Sequence, residues 1–202
     1  MADRARSFPP IAEPDARILI LGSMPGQASL AAGQYYAHPR NAFWPIMATL
    51  LGFDAALDYR ARTRALAAAG IALWDVLHSC RRPGSLDASI EAESLVVNDL
   101  AGFLAGQHAI GHIFFNGSAA EKLFRKHLGT DPGVARLHLT RLPSTSPAHA
   151  ALNFAQKLAA WRAAFAAPQG YFLPGAVDRD CQAEFSAVPS NSTGRRFPSA
   201  DR

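Results

Sequence analysis

Four short strand-like segments, each leading into a loop and then a helical pattern, limit the folds open to this chain more than anything else in it. They cover residues 16–21, 71–76, 111–116 and 136–142. The apolar run Ile18–Leu21 in the first reads as a buried strand, and the other three read as strands. The intervening segments 42–51, 59–69, 98–106, 117–128 and 150–166 carry helical spacing, with Gly70 ending the second and Asn98 capping the third. Strands alternating with helices predict an α/β domain, a parallel sheet with helices on both faces. In such sheets the loops at the strand C-terminal ends converge on one rim, and ligands bind there. That rim would gather residues 22–41, 75–85, 116–118 and 142–149. Residues 1–16 read as a polar arm, 78–94 as a polar loop, and 168–202 as a flexible C-terminal tail following a domain at 10–167.

Of the 202 residues, 49% are hydrophobic, enough for a packed core, yet no stretch of eighteen apolar residues suggests a membrane span. The first residues lack the apolar centre of a secretory signal, so a cytoplasmic protein is expected. Cys80 and Cys181 are too far apart to form a metal-binding spacing, and no metal or cofactor is expected. A net charge of +4 and a pI near 9.4 suit an anionic partner such as nucleic acid.

The segment between the first strand and first helix is the most unusual. About twenty residues of loop inside a compact domain is uncommon and usually functional. It opens with Gly22-Ser23-Met24-Pro25-Gly26 and closes with Tyr35-Tyr36-Ala37-His38-Pro39-Arg40-Asn41-Ala42-Phe43-Trp44. The pair of motifs resembles the first active-site motif of the uracil-DNA glycosylase superfamily, nearest its DNA-deoxyinosine (hypoxanthine-DNA) branch. A later stretch, Leu142-Pro143-Ser144-Thr145-Ser146-Pro147-Ala148-His149, resembles the second. The resemblance implies a three-layer α/β/α fold around a central, mostly parallel four-stranded sheet. It also implies a monofunctional, monomeric enzyme acting on DNA that contains a deaminated base, uracil or hypoxanthine.

The resemblance also suggests roles for individual residues. Tyr36 stands where relatives stack an aromatic on the flipped base, with Gly22, Pro25 and His38 beside it. Met24 occupies the position where many members place the Asp or Asn that positions water, and a thioether cannot do that. The chemistry then falls to Asn41, with Ser23 and Asp75 as further catalytic candidates at the base edge and Asn116 as a binding residue. Read from the residues alone, Asn41 is equally the N-cap of the following helix. Asp75 is equally a cap or the partner of Arg81 or Arg82. Asn116 equally holds loop backbone. The loop Ser144, Thr145, Ser146, Pro147, Ala148 and His149 would enter the DNA, with Arg81 on a phosphate. Ser144–Ser146 read otherwise as the N-terminal turn of the last helix.

Two other function classes compete. A serine hydrolase would need Ser23 or Ser146 with His38 or His149 and Asp75, but no Gly-x-Ser-x-Gly elbow follows a strand. A damaged-DNA binding module with weakened catalysis is compatible with Met24 and Leu142 at both usual catalytic positions.

Overall fold

The computed structural model of the protein describes residues 4–166. The tail at 168–202 lies outside them. In chain order the elements are β1 (Arg4–Arg6), β2 (Ile18–Gly22), α1 (Gln27–Ala32), α2 (Phe43–Leu51), α3 (Tyr59–Ala68), β3 (Ile71–Asp75), β4 (Leu77–Arg81), β5 (Val96–Val97), α4 (Leu100–Gly106), β6 (His112–Asn116), α5 (Ser118–Leu128), β7 (His138–Leu142) and α6 (Phe154–Phe165). The expected four-stranded parallel sheet is present, flanked by helices, in the order β3-β2-β6-β7. Every residue of β2 and β3 is buried, which accounts for their apolar character up to Asp75 at the end of β3. No helix among the described residues is long and apolar enough to cross a membrane.

The order of the strands fixes where a ligand can sit. From β2 the chain crosses to β3 on one side, then returns past β2 to β6 on the other. Loops leaving β2 and β6 therefore diverge, opening a crevice at their C-terminal ends. Gly22 and Asn116 end those two strands, one residue past the paired Leu21 and Phe115. The helices brace this rim from below. Phe43, Trp44, Ile46, Met47 and Leu51 of α2 point into the core, and Trp161 of α6 meets Phe43 edge-on at 6.1 Å. Burying side chains of this size contributes about 1.5–3 kcal/mol each.

Several expectations need correction. Residues 4–16 are not a free arm. β1 pairs antiparallel with β4, and Ile11 bridges to Leu73. The polar loop expected at 78–94 contains β4, the centre of a second, antiparallel sheet of order β1-β4-β5. The long loop after β2 contains α1, ended by Gly33 in the left-handed region at φ 62°. Asn98 does not cap α4; Asp99 does, accepting from the Gly102 amide at 2.9 Å. The last helix starts at Phe154, where Asn153 and Gln156 form a capping box, so Ser144–Ser146 are not its first turn.

Candidate functional site

At the end of β2, Gly22 has no room for a side chain. A Cβ there would run into Oδ1 of Asp75 and come within 3.2 Å of the Tyr36 hydroxyl. Three residues from three segments thus meet at the rim. Tyr36 is the one non-glycine among the described residues with positive φ, at 54°, a conformation side chains rarely adopt and one that clusters at functional sites. Its ring stacks on Phe43, with centroids 4.0 Å apart and planes at 25°. Its hydroxyl is buried with no hydrogen-bond partner among the described residues. Tyr35 serves packing instead: its hydroxyl donates to the Phe8 and Pro9 carbonyls, and its own carbonyl accepts from Trp44 Nε1.

Asn41 sits where the loop enters α2. Its Oδ1 accepts from the Phe43 amide at 3.0 Å, while Ala42 holds the formal cap position. The Asn41 Nδ2 has no protein partner among the described residues, so this amide can hold the helix start with one end and present a donor with the other. His38 is a turn-former here. Its carbonyl accepts from Asn41 and its Nδ1 from the Arg40 amide.

The second motif loop is joined to the first. The Ala42 amide donates to the Thr145 carbonyl at 3.0 Å. Thr145 is fully buried, its amide donating to Asn116 Oδ1 while its hydroxyl accepts from Asn116 Nδ2. Ser144 and Ser146 accept from the amides of Ser146 and Ala148, holding the loop's own turns. His149 donates its amide to the Ser146 carbonyl, which also accepts from buried Lys157. Leu142 is core, 4% exposed. Tyr36, Asn41 and the 143–149 loop, more than a hundred residues apart at the extremes, therefore form one rim.

A family model for the uracil DNA glycosylase superfamily matches residues 9–167. The chain belongs to that superfamily. It is 37% identical over 103 residues to a hypoxanthine DNA glycosylase of Methanosarcina barkeri, the alignment covering 48% of this chain and 65% of that protein, just under two thirds. A hypoxanthine DNA glycosylase of Methanosarcina acetivorans is 34% identical over 116 residues, covering 57% of this chain and 72% of its own length. The solution structure of a Methanosarcina acetivorans protein, provisionally described as a uracil DNA glycosylase, superposes with a TM-score of 0.66 at 30% identity, over 79% of this chain and 98% of that one.

Against the superfamily pattern, the glycine-rich motif is held in an unforeseen way. Met24 is not offered to the rim; it packs in a small cluster with Leu77 and Cys80. Ser23 donates its hydroxyl to Asp87 Oδ1 at 2.8 Å. Buried Arg82 donates to the Pro25 carbonyl at 2.5 Å and lies 3.7 Å from Asp87. The Gln27 amide donates to Ser85. Arg82 and Asp87 thus clasp the motif; Asp87 was not among the expected site residues, and Arg82 only as an alternative partner of Asp75. The one sequence signal for them is a charged pair inside a Pro-Gly loop. Arg81, the expected phosphate contact, is exposed on β4 opposite Arg4.

Asp75 is neither a cap nor an ion-pair partner. It is 3% exposed, and its Oδ2 has no hydrogen-bond partner among the described residues. Burial, then repulsion from Asp87, raises its pKa to about 8, with Arg82 pulling the other way. Burial, and next the Asp75 charge, also raises the Tyr36 hydroxyl well above its usual value, the Asn116 amide partly offsetting this. No described serine hydroxyl bonds to a histidine, so the hydrolase arrangement is not formed among the described residues.

Proposed function

We propose that this superfamily member is a monofunctional DNA glycosylase for deaminated bases, hypoxanthine before uracil. One observation carries the reading: the Ala42–Thr145 bond joins the aromatic loop and the 143–149 loop into one rim. A base taken out of the duplex needs a stacking surface, and the gap it leaves needs filling beside that surface. The Tyr36–Phe43 stack supplies the first and the 143–149 loop the second. The relatives named hypoxanthine DNA glycosylase support the choice of base.

Cleavage in this scheme is dissociative. The C1′–N bond breaks, its electron pair leaves with the base, and the sugar becomes an oxocarbenium ion that water captures. Such a reaction depends mainly on preorganised dipoles facing the departing base. Asn41 Nδ2 is a free donor on this rim, so Met24 in place of a water-positioning residue does not prevent it.

The test is incubation, in EDTA, with oligonucleotides carrying hypoxanthine or uracil, followed by alkali. Strand breaks at the damaged position are expected. Tight binding without breaks at either base would replace this reading with the binding module. Asn41→Asp keeps an oxygen for the Phe43 amide but loses the donor, so a well-folded variant slowed about 10²–10³-fold is expected. An Asn41→Asp enzyme at full speed would remove the donor role.

A further inference from the structure

Asp75 is the least explained side chain at the rim. It lies at the C-terminal end of β3, its Oδ1 against Gly22 and its Oδ2 without a hydrogen-bond partner among the described residues. The cation whose charge acts on it, Arg82, instead donates to the Pro25 carbonyl and pairs with Asp87 at 3.7 Å. Beside it the Tyr36 hydroxyl is buried and equally unpartnered. An ionised carboxylate held this way would lose its hydration for nothing. A carboxylic acid would instead have an O–H to donate into the crevice where the base must sit.

We propose that Asp75 works as a neutral carboxylic acid that donates a hydrogen bond, and then its proton, to a ring nitrogen of a flipped purine. The proposal rests on the glycosylase reading and deepens it to a substrate class. As the C1′–N9 bond breaks, its electron pair moves into the purine ring. The Asp75 proton is taken up at the acceptor nitrogen, and the base leaves neutral. Asp75 is left as carboxylate. Water then adds to C1′, and the proton it sheds restores the acid, so the net reaction is hydrolysis. Hypoxanthine has ring nitrogens with free lone pairs. Uracil has only carbonyl oxygens, too weakly basic to take the proton, and leaves as an anion. An acid here therefore favours purines.

The groups facing Asp75 agree with its staying protonated. Asp87 repels its negative form and Arg82 favours it, with burial the largest influence. Tyr35, Tyr36 and Tyr59, from the 22–42 loop and α3, are all shifted up and add no competing charge near neutrality.

The experiment is single-turnover cleavage of hypoxanthine and uracil oligonucleotides from pH 5.5 to 9.5 with the full chain and Asp75→Asn. Wild-type hypoxanthine release should fall tenfold per pH unit above the Asp75 titration, with uracil release lacking that limb. Asp75→Asn, folded by thermal melt, should lose about 10²–10⁴-fold on hypoxanthine and lose the alkaline limb. Base release with an unaltered limb and rate in Asp75→Asn overturns the acid while leaving the glycosylase reading intact. If neither base is released, the glycosylase reading and the proton transfer fall together, and the ¹³C carboxyl resonance of Asp75 at pH 6.5 separates the causes: an ionised carboxyl overturns the acid in its own right.

Discussion

Asp75 destabilises the domain that holds it, and the sign of that effect can be followed with pH. In the unfolded chain the carboxyl ionises near pH 4, whereas in the folded one burial delays this to about pH 8. Below about pH 4 both states are neutral and there is no penalty. Between these values the unfolded state has released the proton and gained hydration while the folded state has not, so stability falls as pH rises, then levels off. Asp75→Asn removes this dependence. Its amide brings its own unpartnered polar atoms, a cost that does not vary with pH, so the trend is the test. Urea unfolding at pH 4, 6 and 8 should show the variant gaining on wild type by several kcal/mol toward pH 8. A constant difference at all three would mean that the native carboxyl is ionised and partnered. Gly22 belongs to the same account, since any side chain there would displace the carboxyl or the tyrosine.

At the scale of elements, the junction of β5 and α4 separates two neighbouring polar residues that look alike in the sequence. Asp99 caps α4 and is exposed. Asn98 is buried, and its Nδ2 donates to the Asp75 carbonyl at 2.9 Å and to Ser7 at 3.2 Å. Asp99→Ala should cost about 1 kcal/mol of stability and leave the cleavage rate unchanged. Asn98→Ala leaves a buried carbonyl unpaired, costing about 1–3 kcal/mol, and loosens the strand end that carries Asp75, so it should also slow cleavage. Chemical denaturation with single-turnover rates on both variants checks this, and equal rates would detach Asn98 from the site. The same contrast explains what could be read beforehand. β2, β3 and β6 were readable because burial of most of each strand favours apolar residues, and the edge strand β7, exposed at two of its five positions, by its place in the strand–helix alternation; the rim loops followed from the rules of parallel sheets. β4 was not, because buried Ser79 answers to Arg4, 75 positions away. Arg82 and Asp87 were hidden for the same reason, their partners Pro25 and Ser23 lying 57 and 64 positions upstream. α1 has six residues, too few for periodicity to declare it. Tyr36, Asn41 and the 143–149 loop stood out by residue type and resemblance; that Asp75 lacks a partner is a fact of packing no sequence spells out.

For the molecule as a whole, strand order and charge have to act together on a polyanion. The crevice lies where the loops after β2 and β6 part, so DNA must approach that one rim to deliver a base. The chain carries a net charge of +4, and two exposed cations border the loops of the rim, Arg40 next to Asn41 and Arg81 at the end of β4. Neither has a side-chain ion pair among the described residues, whereas Arg141 and Arg125 are both engaged with Glu121. Free cations at the rim are the ones able to displace counterions from phosphates. Each phosphate neutralised adds about −0.9 to the slope of log K against log salt on duplex DNA. Arg40→Gln with Arg81→Gln should therefore flatten that slope by about 1.8 for an abasic duplex and weaken binding most at low salt. The single-turnover rate at saturating protein should be unaffected, because neither side chain bonds to Gly22, Tyr36, Asn41 or Asp75. Fluorescence anisotropy across a salt series measures the slope. A double variant whose slope equals that of the wild type would mean that DNA enters over another face, and that the rim geometry has been matched to the wrong approach.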